Sequence, residues 1–354
     1  MKILIVAESH FKEYGGPFTA INQKIEYFNN KNIKTKLIFN KTNFYKFNLD
    51  LHFVINDYDI VHIYGMWRPF LIRVYLLAKK LKKKIIVSPI GYLEPWSLSQ
   101  KKIKKKIAWF LYQKKIIDNV DLLHATSDIE AKNLANLKVK SKIKIIGHGI
   151  KLDENFKLKI KKNKIKKIIF FSRIHNKKGL LELIEVWKNL KDNEEWRLEI
   201  FGPISDLNYF KRIESRIKDL KLEKSIFYSG AVFSEFKKKK IFKHADGFIL
   251  PSKSENFGIS IGEALSYGLP VLTTFETPWK IINEYKAGIV FDFSKQAIES
   301  TLSKFINLSD LERYEMGNRA LELIKNNFSA KNIFKQYETM YKELFDESFV
   351  SIKN

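Results

Sequence analysis

Short apolar runs alternate with helical segments along most of this sequence. Runs at Lys2–Val6, Lys34–Phe39 and Ile60–Ile63 have the length and apolar content of buried strands. After several such runs, apolar residues recur three or four positions apart, which is the spacing of one helical face. One such stripe comprises Leu180, Leu183, Ile184, Trp187 and Leu190. Because strands that alternate with helices build parallel sheets, the pattern predicts an α/β fold with two doubly wound, Rossmann-like domains.

A polar, lysine-rich stretch interrupts this alternation near the middle of the chain. We interpret residues 151–167 as a hinge between an N-terminal domain (residues 1–150) and a C-terminal domain (residues 168–330). The 354 residues suffice for two domains of ordinary size. Residues 331–354 follow as a separate segment. Its apolar residues predict a last helix and are Ile333, Tyr337, Met340, Tyr341 and Leu344.

Composition excludes some classes of function and leaves the charge to be interpreted. An apolar content of 45% with 14% aromatic residues indicates a folded globular protein. There are no cysteines, which excludes disulfides, thiolate metal sites and thiol catalysis. The net charge of +25 has three interpretations: a nucleic-acid partner, an anionic membrane surface, or a compositional bias toward lysine.

The lengths of the apolar runs indicate where in the cell we expect the protein to act. The run that begins the chain meets Glu8 after five apolar residues, which is too short for a signal peptide. No run approaches the ~20 apolar residues that span a bilayer. We therefore expect a cytoplasmic protein, peripheral on the inner face of the plasma membrane.

Residues 99–115 concentrate positive charge beside an apolar face. Ile103, Ile107, Phe110 and Leu111 form that face, and lysines crowd the rest of the helix. This composition is typical of a helix lying on anionic lipid. The predicted membrane-binding residues are Lys101, Lys102, Lys104, Lys105, Lys106 and Trp109. The alternative is a packed helix with a solvated lysine face. Nucleic acid is not an expected partner, because the lysines come without interleaved arginine and asparagine base readers.

The segment 251–274 contains two glutamates around a glycine-containing loop. Glu255 and Glu263 have seven residues between them, and the loop follows an apolar run at Phe248–Leu250. We predict a helix at Glu263–Tyr267 and a strand at Val271–Thr274. A loop that delivers backbone N–H groups to a helix N-terminus suits a phosphate, and carboxylates there suit hydroxyl groups. A sugar nucleotide has both chemistries.

A second loop of the C-terminal domain carries cations. A predicted strand at Ile168–Ser172 is followed by Arg173-Ile174-His175-Asn176-Lys177-Lys178-Gly179. The fork of Arg173 can hold two phosphate oxygens, and Lys178 adds a point charge. Alone, this is an ordinary basic loop. Together with the glutamate loop it indicates a site for a nucleoside diphosphate.

These strings resemble those of retaining glycosyltransferases of the GT-B fold, of the glycosyltransferase family 4 type that includes lipopolysaccharide and capsule enzymes. The similarity is carried by Arg173 to Gly179, by Glu255-Asn256-Phe257-Gly258, by Glu263-Ala264-Leu265 and by Gly268-Leu269-Pro270-Val271. The resemblance implies two Rossmann-like domains facing across a cleft and a last helix that returns to the first domain.

The resemblance also implies roles for individual residues. Arg173, Lys178 and Glu255 take the catalytic positions, with both cations on the departing diphosphate and Glu255 on the transferred sugar. Glu263 takes the position that holds ribose. The implied donor-binding residues are Gly16, Gly202, Val232, Asn256, Phe257, Gly258, Ile259, Ser260 and Glu263. One departure stands out, because Ile90 occupies a position that is polar in many relatives.

The implied reaction moves a hexose-type sugar from a nucleotide sugar to a glycan or lipid-linked acceptor in polysaccharide or lipopolysaccharide synthesis. We expect a UDP-sugar as co-substrate, with a GDP-sugar as the alternative, and neither a cofactor nor a metal. The pair Asp57 and Asp59 is interpreted as a solvated strand entrance instead of a metal site. The competing hypothesis is a basic membrane- or nucleic-acid-binding protein on the same scaffold, without transferase activity.

Overall fold

The computed structural model describes residues 1–8, 16–39, 47–190 and 193–350. The chain forms two compact units. Unit 1 comprises Met1–Gly149 together with Lys331–Asn354, and unit 2 comprises Ile150–Ala330. Within the described part of the chain, no helix is both long and apolar enough to cross a bilayer.

Unit 1 is built on a six-stranded parallel sheet. Its strands are β1 (Lys2–Ala7), β2 (Lys34–Phe39), β3 (Ile60–Tyr64), β4 (Lys84–Ser88), β5 (Leu122–Ala125) and β6 (Ile143–Ile145), in the order β2-β1-β3-β4-β5-β6. The central strands are buried from end to end, as expected for a parallel sheet covered on both faces. The helices are α1 (Gly16–Asn29), α2 (Phe47–Asn56), α3 (Pro69–Lys80), α4 (Pro95–Ser99), α5 (Lys102–Ala108), α6 (Lys114–Ile117) and α7 (Asp128–Asn136), with a π-helical turn at Trp109–Gln113.

Unit 2 is also built on a six-stranded parallel sheet, but its strand order differs from that of unit 1. Its strands are β7 (Lys166–Phe171), β8 (Trp196–Phe201), β9 (Ile226–Tyr228), β10 (Gly247–Leu250), β11 (Val271–Thr274) and β12 (Gly288–Phe291), in the order β12-β11-β10-β7-β8-β9. The helices are α8 (Leu180–Trp187), α9 (Leu207–Asp219), α10 (Glu235–His244), α11 (Ile259–Ser266), α12 (Ile281–Glu284), α13 (Lys295–Ile306) and α14 (Asp310–Leu323). Short turns lie at Asn176–Lys178, Asn193–Glu195 and Ile324–Phe328. The predicted α/β class with two doubly wound sheets is confirmed.

The last helix, α15 (Ala330–Val350), packs in unit 1. Its buried face includes Tyr337, Met340 and Tyr341, which are among the residues that predicted it. The hydroxyl of Tyr341 lies 2.7 Å from Nδ1 of His62 in β3. The last helix therefore packs against the sheet of unit 1.

Candidate active site

In unit 2 the order in which strands are added to the sheet reverses between the neighbouring strands β7 and β10. The chain runs from β7 outward through β8 and β9, then returns to the other side of β7 with β10 and continues to β11 and β12. The loops that leave the carboxyl ends of β7 and β10 therefore diverge at this point. In open parallel sheets such a reversal leaves a crevice where ligands bind. The two loops predicted from the sequence, 172–179 and 251–258, are the ones that border it.

The basic loop abuts the glutamate loop at Gly179. Its backbone has φ +69°, and a Cβ there would lie 2.0 Å from the carbonyl oxygen of Pro251. Only glycine therefore permits this approach. The amide of Lys253 also donates to the carbonyl of Lys177 at 2.8 Å. The two loops are joined by their main chains.

A buried ion pair links the same loops through side chains. The ammonium of Lys178 contacts Oε1 of Glu255, and the hydroxyl of Ser252 donates to the same oxygen at 2.9 Å. Burial alone would raise the pKa of Glu255, but the charges of Lys178 and Lys177 outweigh it and hold that pKa below its usual value. Glu255 is therefore ionised at neutral pH, with its charge balanced by Lys178.

Several basic side chains of this loop lie close enough to affect one another's pKa. Arg173 is half-buried. Burial lowers the pKa of His175, and the charge of Arg173 lowers it further. Burial also lowers the pKa of Lys178, with a smaller contribution from Arg173. Cations so close to each other repel, so an anion placed among them is stabilised.

The glutamate loop ends in helix α11, which starts earlier than predicted. Gly258 adopts φ +78°, and the helix begins at Ile259 instead of Glu263. The predicted start at Glu263 was therefore one turn too late. Gly262 is inside the helix, where a Cβ would lie 2.7 Å from Ile150. The first turn, with its free amide groups, therefore contains Ile259 and Ser260, and Glu263 lies one turn further along.

Glu263 is paired with a lysine that the sequence did not reveal. Nζ of Lys238 in α10 lies 2.6 Å from Oε1 of Glu263 and 2.9 Å from Oε1 of Glu235. Burial raises the pKa of Glu263, and the charge of Lys238 offsets part of that effect. Burial would lower the pKa of Lys238, but the two carboxylates raise it above its ordinary value. Lys238 sits in a run of four lysines, so only its position in the fold distinguishes it.

The other predicted donor-binding residues have visible structural roles. Gly202 needs its glycine because a Cβ would lie 1.8 Å from the carbonyl oxygen of Ser172. Val232 is half-buried against the unit 2 core. Phe257 is buried, and its carbonyl accepts from Nε1 of Trp279 at 2.5 Å. Asn256 is half-buried in the same loop. Gly16 is the first residue of α1 in unit 1, and Gly15 before it lies outside the described residues.

The predicted membrane-binding residues divide into two groups. Lys101, Lys102, Lys104 and Lys106 are exposed. Two residues depart from the prediction. Lys105 is half-buried, with its ammonium hydrogen-bonded to the carbonyl of Ser97. Trp109 turns inward, with its ring centroid 6.5 Å from that of Trp67.

A buried polar network joins β3, β4 and β5 in the interior of unit 1. Nε2 of His62 lies 2.6 Å from Oγ of Ser88, and that oxygen lies 2.6 Å from Nδ1 of His124. Both imidazoles are fully buried. Burial lowers the pKa of His62 well below its ordinary value and that of His124 to about 3. His62 thus has both ring nitrogens bonded, as expected for a structural residue in the interior of the sheet.

The amine of Lys24 joins this network from helix α1. It contacts the hydroxyl of Tyr64 and lies 4.1 Å from the ring centroid of Tyr337. Burial lowers the pKa of Lys24 to about 7. The network therefore connects α1, β3, β4, β5 and α15 through groups that are mostly neutral.

Comparison with protein families matches two models along the chain. Residues 19–154 match "Glycosyltransferase Family 4", and residues 151–323 match "Glycosyl transferases group 1". The second match contains both loops of the candidate site. The boundary between the matches coincides with the boundary between the two units to within a few residues.

Two curated relatives illustrate the range of similarity. The "Uncharacterized 41.2 kDa protein in cps region" of Klebsiella pneumoniae is 26% identical over 81% of this chain and 79% of its own length. The "GDP-mannose:cellobiosyl-diphosphopolyprenol alpha-mannosyltransferase" of Xanthomonas oryzae is 24% identical over 68% of this chain and 62% of its own length. The chain thus spans about three fifths of the second relative.

A solved structure shares the fold. Anabaena Alr3699/HepE, crystallised with UDP and glucose, superimposes with a TM-score of 0.75 at 15% identity over 97% of this chain and 100% of that chain. This similarity confirms the GT-B architecture that the sequence motifs indicated.

Proposed function

Because the chain belongs to the group 1 glycosyltransferases and carries an N-terminal domain of the glycosyltransferase family 4 type, we propose that it transfers a hexose-type sugar from a nucleoside diphosphate sugar. The acceptor is a glycan or a lipid-linked sugar. The observation that carries the proposal is that Glu255 and Glu263 each pair with a lysine, beside the basic loop, at the point where the strand order of unit 2 reverses.

In this proposal the basic loop binds the diphosphate. Arg173 and Lys178 stabilise the charge that builds on the departing phosphate oxygens, which is where fixed charges lower a barrier. The amides of Ile259 and Ser260 add the N-terminus of α11 as a further anion-binding element. Gly16 and Gly202 let the main chain approach the donor, and the main chain near Val232 holds the base.

In this proposal the two glutamates bind the hydroxyl-bearing parts of the donor, which are the ribose and the transferred sugar. Glu263 accepts hydrogen bonds from ribose hydroxyls, and Glu255 orients the transferred sugar with the main chain of Asn256, Phe257 and Gly258. Their pairing with lysines supports this role, because a carboxylate whose charge is already balanced repels the neighbouring diphosphate less.

We propose transfer with retention of configuration, by attack on the same face that the diphosphate leaves. The bond between the anomeric carbon and the diphosphate oxygen breaks, and its electron pair leaves with the diphosphate. The acceptor hydroxyl oxygen forms the new bond, and its proton passes to the leaving oxygen. Arg173 and Lys178 supply the cationic charge that this leaving group needs, so the proposal includes no metal and no cofactor.

The donor base is proposed to be uracil, with guanine as the alternative. The fold relative from Anabaena was crystallised with UDP, whereas the Xanthomonas relative is named for GDP-mannose. The proposed process is synthesis of a cell-surface polysaccharide or lipopolysaccharide, which the relative from a cps region supports.

Thermal denaturation with UDP, GDP and ADP, and with their sugar conjugates, tests the donor site. We expect one nucleotide family to raise the melting temperature of the wild type, since a ligand that binds only the native state stabilises it. The shift should be lost in Arg173→Ala and in Glu263→Gln. Arg212→Ala, at an exposed arginine of α9, is the matched control and should keep the full shift.

The same screen separates this proposal from its competitor. A protein that only keeps the scaffold, and binds membranes or nucleic acid through its charge of +25, would show no shift with any nucleotide. Equal shifts in wild type and in both site variants would also contradict the proposal, because the nucleotide would then bind elsewhere.

A further inference from the structure

Helix α10 carries four consecutive lysines, which differ in their surroundings. Lys237 and Lys240 are exposed. Lys238 instead extends to α11, where its Nζ lies 2.6 Å from Oε1 of Glu263, and its side chain is only 13% exposed. Lys238 thus differs from these two lysines, because it contacts a residue of the proposed donor site.

The packing of the two helices fixes the position of Lys238. One turn further along, the rings of Phe242 and Tyr267 stack with their centroids 5.6 Å apart and their planes at 7°. These residues follow Lys238 and Glu263 by four positions each, so the aromatic contact and the ion pair lie in line. Because Phe242 is fully buried, the aromatic contact should keep the helices together when the charge of Lys238 is removed.

A second carboxylate shares the ammonium of Lys238. Oε1 of Glu235 lies 2.9 Å from Nζ, and the side chain of Glu235 is 67% exposed. The side chain of Glu263 is 22% exposed, so a ligand can reach it. Two carboxylates and one ammonium leave one negative charge, and Glu263 can therefore accept hydrogen bonds from neutral hydroxyl groups.

The charge of Glu263 depends on these neighbours. Burial raises the pKa of Glu263, Lys238 lowers it, and repulsion from Glu235 adds to the effect of burial. Tyr267 is a further titratable group whose charge interacts with Glu263. Without Lys238, the carboxyl group of Glu263 would stay protonated up to a higher pH. A protonated carboxyl group forms weaker hydrogen bonds with hydroxyl donors than a carboxylate does.

We propose that Lys238 is a positioning residue for the donor, whose ammonium keeps the carboxylate of Glu263 charged and held in place for the ribose hydroxyls. The inference rests on the proposed function, in which Glu263 binds ribose. It also names the class of donor, because a site built to bond a hydroxyl group discriminates against a ligand that lacks it. The donor is the sugar conjugate of a ribonucleoside diphosphate and not of a 2′-deoxyribonucleoside diphosphate.

Calorimetric titration of the full chain with UDP and 2′-deoxy-UDP, and with GDP and 2′-deoxy-GDP, tests this inference. The ratio of dissociation constants within a pair measures recognition of the 2′-hydroxyl, and titration of the diphosphate cancels in that ratio. Wild type should prefer the ribonucleotide about tenfold or more above the pKa of Glu263, and should lose this preference as the pH falls through it. Lys238→Met should move the midpoint of this loss upward by about 1 to 3 on the pH scale.

Three further variants make the test specific. Lys238→Arg keeps a cation and should keep the wild-type midpoint. Glu235→Gln, at an exposed position, removes the competing carboxylate and should move the midpoint downward. Lys237→Met removes an exposed lysine of the same helix and should leave both the preference and its midpoint unchanged. The melting temperature without nucleotide reports whether each variant is folded.

Several results would overturn the role of Lys238. An unchanged midpoint in Lys238→Met would show that the ion pair only joins α10 to α11. An upward shift in Lys238→Arg or in Lys237→Met would show that the effect is not specific to a cation at this position. If Lys238→Met does not fold, an unchanged midpoint in Glu235→Gln overturns the inference instead.

The failure of this inference differs from the failure of the proposed function. Wild type that binds neither UDP nor GDP would contradict the proposed function, and the role of Lys238 with it. Wild type that binds one of them and prefers the ribonucleotide, with Lys238→Met behaving identically, would leave the proposed function in place and overturn the role of Lys238 alone.

Discussion

The two units are both built on six-stranded parallel sheets but place their polar groups differently. In unit 1, imidazoles and phenols are buried within the sheet and against α15, and they are bonded to one another in neutral forms. In unit 2, the polar groups are charged, and they lie on the loops and helices at the carboxyl edge of the sheet. Neutral networks stabilise a fold without attracting a ligand, whereas charges at an open edge can bind one. Unit 2 therefore carries the charges that we propose to hold the donor, whereas the interior of unit 1 holds its C-terminal helix.

The largest effect should come from breaking the ion pair of unit 2. Lys178→Met leaves Glu255 buried without its cation, which should lower the free energy of unfolding of unit 2 by about 3 kcal/mol. Transferase activity should fall about a hundredfold or more, because a cation on the leaving group is lost. Urea denaturation and release of nucleoside diphosphate from the donor measure the two effects.

The double variant Lys178→Met with Glu255→Gln separates stability from catalysis. It removes both charges, so most of the lost stability should return while activity stays low. Recovery of activity together with stability would show that the pair is only structural, and the role proposed for Lys178 would be wrong.

Lowering the pH should have a smaller effect on stability, and it should destabilise unit 1 more than unit 2. The pKa of His124 and that of His148 are about 3 in the folded protein, and that of His62 is also far below 6.5. Unfolding therefore takes up protons below pH 6.5, so stability is present above that pH and is lost as the pH falls toward 3. Each histidine should cost about 1 kcal/mol between pH 7 and pH 5.5.

Glu130 has the opposite effect on stability. Burial raises its pKa to about 7. As the pH falls below 7, the folded state therefore takes up a proton at Glu130 and is stabilised. The net loss in unit 1 should be about 2 kcal/mol over this range. Hydrogen exchange of β3 to β5, corrected for intrinsic rates, should accelerate more than that of β7 to β10. His244→Asn, at an exposed histidine of unit 2, should change nothing. Equal acceleration in both units would contradict the contrast drawn here.

The smallest effect should come from Tyr341→Phe. Loss of its hydroxyl leaves Nδ1 of His62 without this partner, which should cost about 1–2 kcal/mol. The melting temperature measures it. Tyr314→Phe, at a half-buried tyrosine of unit 2, serves as the control for loss of a hydroxyl. A Tyr341 variant as stable as the wild type would mean that the network adds nothing to the attachment of α15.

The sequence predicted those parts of the molecule that depend on neighbouring residues. The strand at Lys34–Phe39 and the strand at Val271–Thr274 have the predicted bounds. Both are short runs rich in β-branched and apolar residues, which favour the extended conformation. The motifs at Arg173 and Glu255 identified the loops at the crevice, because their residues are continuous in the chain.

Parts that depend on distant partners could not be predicted. The pairing of Lys238 with Glu263 spans 25 residues, and the contact between His62 and Tyr341 spans 279. Neither a run of lysines nor a single histidine indicates, in the sequence, which distant residue it will contact. The inward packing of Trp109 against Trp67 likewise joins residues that are far apart in the chain.

The membership of α15 in unit 1 has a consequence for the order of synthesis. Unit 2 is one continuous stretch of chain, inserted between the two pieces of unit 1. On the ribosome, the sheet of unit 1 is made before unit 2, but Tyr337 and Tyr341 are added only after the whole of unit 2 has been synthesised. Their contacts with His124 and His62 are therefore among the last to form. Of the two units, unit 1 is thus the one whose synthesis starts earlier and whose fold can be completed only after unit 2 has been made.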